Sequence, residues 1–65
     1  MNVTVEVAGE GTHEVSVEDP TYADLLAAVD LSPHEATAMV DGRPVPEDQP
    51  VEAERVTVVR LIKGG

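Results

Sequence analysis

Val56-Thr57-Val58-Val59-Arg60-Leu61-Ile62-Lys63-Gly64-Gly65 is an apolar, β-branched run that stops on two glycines. β-Branched side chains favour extended backbone, so a strand is predicted from Val56 onward. It is the longest and most apolar strand segment of the chain, and near-continuous apolar strands belong inside a sheet rather than at its edge. A central position beside the first strand is therefore expected. No turn follows to return the chain to the fold. The strand is expected to aim a bare α-carboxylate into solvent, with a flexible tail over about residues 62–65.

The chemistry open to such a tail is narrow. A carboxylate is a poor electrophile because oxide is a poor leaving group. Joined to AMP, it becomes an acyl-adenylate that sulfur or nitrogen nucleophiles attack. An enzyme doing this must surround the carboxylate and exclude water. Glycine lacks Cβ and reaches backbone angles closed to other residues, so Gly64 and Gly65 suit a narrow channel. The competing reading is a frayed terminus without function.

Working outward, Val3, Val5 and Val7 alternate with Thr4 and Glu6, the pattern of a half-buried strand over Asn2–Val7. Ala8-Gly9-Glu10-Gly11-Thr12 is a glycine-rich turn, and residues 13–17 read as the returning strand, with Val15 and Val17 inward. Glu18-Asp19-Pro20 breaks the pattern. Thr21 with Asp24 forms a capping-box-like pair. Tyr22, Leu25, Leu26 and Val29 then follow at helical spacing. This predicts a short helix ending near Asp30. Leu31-Ser32-Pro33-His34-Glu35 resembles a second cap with no apolar helical run after it, and reads as a single turn.

Ala36–Val40 is a third strand. Asp41-Gly42 is a strong hairpin signal. Arg43-Pro44-Val45 is a brief edge strand, since prolines cannot donate to a ladder. Residues 46–55 form an acidic, proline-containing loop in which Val51 and Ala53 plug the open end of the sheet. The order strand, strand, helix, strand, short strand, strand predicts one α+β domain over residues 1–65. It is a mixed sheet of four to five strands packed on one helix, with a crossover setting the last strand parallel to the first. This is the β-grasp, or ubiquitin-like, arrangement. The expected core is Val3, Val5, Val15, Val17, Leu25, Leu26, Val29, Ala38, Val40, Val45, Val56 and Val58.

Composition narrows the function. At 65 residues there is room for one core but not for a deep active site beside it. Thirteen acidic residues against four basic give a net charge of -9, which opposes nucleic-acid binding through phosphates and binding to anionic membranes. The acids are spread along the chain, as on a solvated surface. At this charge the domain repels itself unless salt screens it, which points to a halophilic host. There is no cysteine, so disulfides, thiolate metal sites and a cysteine nucleophile are excluded. His13 and His34 lack partners at metal spacing. No signal or membrane-spanning stretch is visible, and a cytoplasmic monomer is expected.

In Val40-Asp41-Gly42-Arg43-Pro44-Val45-Pro46, in residues 55–61 and in Gly64-Gly65, the chain resembles the small archaeal modifier proteins. Asp30-Leu31-Ser32-Pro33-His34-Glu35 adds to the likeness. The family is ubiquitin-like and is also similar to the sulfur carriers of thiamin and molybdopterin synthesis. The closest likeness is to the haloarchaeal type, used for both tRNA thiolation and protein conjugation. The resemblance implies that a ubiquitin-activating-type enzyme spends ATP to adenylate Gly65. The product then becomes a thiocarboxylate for a tRNA-thiolation enzyme making 2-thiouridine, or an isopeptide on a target lysine. The chain would be carrier or tag rather than enzyme, with no cofactor of its own. Ile62, Lys63 and Gly64 would thread the enzyme's channel.

Strand alternation sets Thr37, Met39, Thr57, Val59 and Leu61 on the sheet face away from the helix. Such a cluster is either a docking patch or a few scattered surface apolars. In ubiquitin-like families this face meets the activating enzyme, which implies docking through Met39, Val59, Arg60 and Leu61. Arg60 and Lys63 would pair with acidic groups of the partner or simply serve solubility. Lys63 is the only lysine, and a bound partner would crowd it, so little self-linked chain is expected. The alternative function is a non-covalent β-grasp interaction module, or a sulfur carrier for molybdopterin or thiamin synthesis only.

Overall fold

The computed structural model describes residues 1–61. The strands are β1 (Asn2–Val7), β2 (Gly11–Ser16), β3 (Ala36–Val40), β4 (Arg43–Pro44) and β5 (Arg55–Arg60), with one helix, α1 (Tyr22–Ala28), after β2. They form one sheet in the order β2-β1-β5-β3-β4. β5 is central, parallel to β1 and antiparallel to β3, as its apolar run predicts. This mixed sheet on a single helix is the β-grasp fold.

β2 begins two residues earlier than its valines suggest. Gly11 pairs with Val7 and Thr12 with Glu6, leaving a three-residue loop in which the Glu10 amide donates to the Val7 carbonyl at 2.9 Å. Asp41 and Gly42, at φ 54° and 78°, make the type I′ turn that matches strand twist.

The helix stands because both of its ends are satisfied. The Thr21 amide donates to Asp24 Oδ2 at 2.8 Å, and the Asp24 amide donates to the Thr21 hydroxyl at 3.3 Å. Loop carbonyls take the next two donors: Tyr22 N–H bonds Gln49 at 3.2 Å, and Ala23 N–H bonds Glu47 at 2.9 Å. At the other end Asp30 sits at φ 60°, with its amide on the Ala27 carbonyl and the Leu31 amide on the Leu26 carbonyl. That pair of bonds is a Schellman motif.

The core is Val3, Val5, Val7, Tyr22, Leu25, Leu26, Ala36, Ala38, Val51, Val56 and Val58. Val51 plugs the sheet as predicted, while Ala53 is only half-buried. Val15, Val17, Val29, Val40 and Val45 pack against the core without being sealed in it. The helix lies nearest β3. β2, at the far edge, is left uncovered. No helix of the described residues is long and apolar enough to cross a membrane.

Candidate functional site: the tail root and the open sheet face

Cross-strand register builds the open face. Thr37 lies opposite Val59, Met39 opposite Thr57, and Pro44 opposite Met39. On the other half, Glu6 neighbours Thr57 and Thr12, and Thr4 neighbours Arg55 and Glu14. The face is thus mainly apolar toward the end of β5 and over β3 and β4, and polar or charged over β1, β2 and the start of β5 at Arg55. Met39 and Val59 are half-buried by their cross-strand neighbours. Leu61 is the side chain offered outright, 59% exposed.

The chain leaves the sheet at Leu61. Its amide donates to the Glu35 carbonyl at 2.8 Å, one step beyond the β3–β5 ladder. Glu35 is itself placed by the predicted turn: its amide bonds the Ser32 carbonyl at 3.0 Å, and its Oε1 accepts from the Ser32 amide at 3.2 Å. The sequence reading therefore located this turn, though not that it anchors the last strand.

Met39, Val59 and Leu61 are brought together, but Arg60 is not with them. Strand alternation turns it to the face of Val56 and Val58. There its Nη1 donates to Glu10 Oε2 at 2.8 Å, with both side chains partly exposed. It is the single ion pair among the described residues. The hydrogen bond to Glu10, then the charge of Glu10, raise the Arg60 guanidinium above its ordinary value, and the charge of Glu35 adds to this. Sequence reasoning missed Glu10, because nothing local marks a partner fifty positions away.

The residues expected to thread a partner's channel, Ile62, Lys63, Gly64 and Gly65, lie outside the described residues. His13 and His34 are exposed. Among the described residues no group of three or more His, Asp or Glu could hold a metal ion.

A family model described as Small archaeal modifier protein 2 matches residues 1–62. The protein of that name from Haloferax volcanii is 74% identical over 66 residues, covering all of both chains. An uncharacterized protein of Archaeoglobus fulgidus is 33% identical over 67 residues, again covering all of both. The crystal structure of H. volcanii small archaeal modifier protein 2 matches the fold with a TM-score of 0.74, at 73% identity and 97% coverage of each chain.

Proposed function

Because the chain belongs to the small archaeal modifier protein 2 family of ubiquitin-like modifiers, we propose that it is an acyl carrier working through the α-carboxylate of Gly65. An oxygen of that carboxylate attacks the α-phosphorus of ATP on an adenylating enzyme, and pyrophosphate leaves. Hydrosulfide-level sulfur then attacks the acyl carbon, AMP leaves, and a thiocarboxylate forms. The thiocarboxylate gives up its sulfide to a tRNA-thiolation enzyme and returns to the carboxylate. Alternatively a target lysine Nζ attacks the carbon of the acyl-adenylate, losing a proton as AMP leaves, and an isopeptide remains. The chain itself contributes no catalytic group, and both uses are cytoplasmic. Supply of sulfur for molybdopterin or thiamin synthesis is a neighbouring use of the same intermediate.

The observation that carries this reading is the geometry of the tail root. Leu61 is held at the end of the sheet by the Glu35 carbonyl, and four residues follow it in the sequence. Four extended residues span at most about 14 Å. An enzyme that reaches Gly65 must therefore press against the domain near Leu61. The surface waiting there is the apolar half of the open face, with Leu61, Val59 and Met39. ATP–pyrophosphate exchange with the purified adenylating enzyme of its host tests the proposal. Exchange that depends on this chain is expected, and it is abolished when Gly64-Gly65 is deleted. The apolar half also favours a second reading, non-covalent binding through the open face alone. That reading predicts no exchange and partner binding unchanged by the deletion.

A further inference from the structure

Arg60 precedes the point of departure, and its side chain points away from the open face. We propose that Glu10 is a positioning residue, which acts through the Arg60 guanidinium to set the direction in which the chain leaves the sheet. The proposal rests on the carrier reading for its consequence in activation, but not for its geometry.

The root is held from two sides. The β1–β2 turn holds it by a side chain, Glu10 Oε2 to Arg60 Nη1 at 2.8 Å. The turn before β3 holds it by backbone, Leu61 N–H to the Glu35 carbonyl at 2.8 Å. A surface ion pair adds little to global stability. It does hold one long side chain across the end of the sheet, next to the Leu61 amide that the Glu35 carbonyl holds. With the pair intact, that ordering precedes docking. Without it, the partner must impose the order at the moment of binding. The carboxylate of Glu35 bonds its own turn, and its main-chain carbonyl holds Leu61, while the Glu10 carboxylate holds Arg60.

The alternative is that Arg60 is read directly by an acidic group of the partner. The variant Glu10→Ala, which removes the acceptor, and the charge-reversed double variant Glu10→Arg/Arg60→Glu separate the two. In the free chain, Glu10→Ala should speed hydrogen exchange of the Leu61 amide while the amides of Val56 and Val58 are unchanged, and the double variant should restore protection. In adenylation, Glu10→Ala should raise KM about two- to tenfold, the cost of ordering one rotamer-rich side chain on binding. Its kcat should be unchanged, and the double variant should recover KM. Molar KCl should narrow the difference, since it screens exposed charges within about 3 Å. Unchanged Leu61 exchange in Glu10→Ala overturns the proposal. So does a KM that falls in Glu10→Ala and is not recovered in the double variant, because that marks Arg60 as a partner contact. If the unaltered chain is never adenylated, the carrier reading fails, and the exchange measurement still decides this one.

Discussion

Asp30 holds φ 60° at the end of α1, where its Cβ is strained and its charge faces the negative end of the helix dipole. Glycine would remove both penalties while loosening the unfolded chain. Asp30→Gly should therefore stabilise the domain by about 1 kcal/mol, seen as a rise in the urea midpoint at fixed salt with no change in slope. At this scale legibility was uneven. Thr21 and Asp24 announced the helix start, because a capping box is local in sequence. The stop was legible only as a region near Asp30, since aspartate is an uncommon choice for a left-handed position. The Glu10–Arg60 pair could not be read from the sequence at all, because the fold brings the two together.

β5 divides its labour between its faces. Val56 and Val58 are fully buried, whereas Val59 and Leu61 lie toward the open face. Val58→Ala removes two methyl groups from a sealed site and should cost about 2–3 kcal/mol in chemical denaturation. A domain of this length has only about 3–10 kcal/mol to lose. Leu61→Glu should change stability by less than about 0.5 kcal/mol, as for other exposed positions. The same variant should raise KM for adenylation about tenfold if Leu61 anchors the docked face. Equal KM values for Leu61→Glu and the unaltered chain would remove Leu61 from the interface. Period-two alternation made this division readable. What it could not reveal was how the helix lies over the sheet. Val15 and Val17 alternate as well as Val3 and Val5 do, yet end half-exposed because α1 sits toward β3 and away from β2. Tyr22 and Val51 enter the core because the loop after β4 folds back onto the start of the helix.

Over the whole molecule, a charge of -9 is spread on a domain whose described residues bury no polar or charged side chain. Every described carboxylate is thus within reach of solvent ions. Raising KCl from dilute buffer to molar concentration should raise Tm by several degrees, through screening of self-repulsion. A Tm unchanged over that range would remove salt adaptation from the account. The fold class, the central strand and the strand order were legible because apolar periodicity and two turn signals leave few ways to arrange five strands and one helix. The apolar half of the open face was legible for the same reason. The architecture of the tail root was not, since it depends on contacts between distant turns.

The central claim is that the domain presents Gly65 for activation. The most direct test is mass spectrometry of the tagged chain from its own cells, beside a version lacking Gly64-Gly65. The account predicts a thiocarboxylate at Gly65, or target lysines carrying its glycine remnant, with both products absent from the truncated chain. Neither product in the full chain, together with the same bound partners after truncation, would contradict it and leave a non-covalent binding domain.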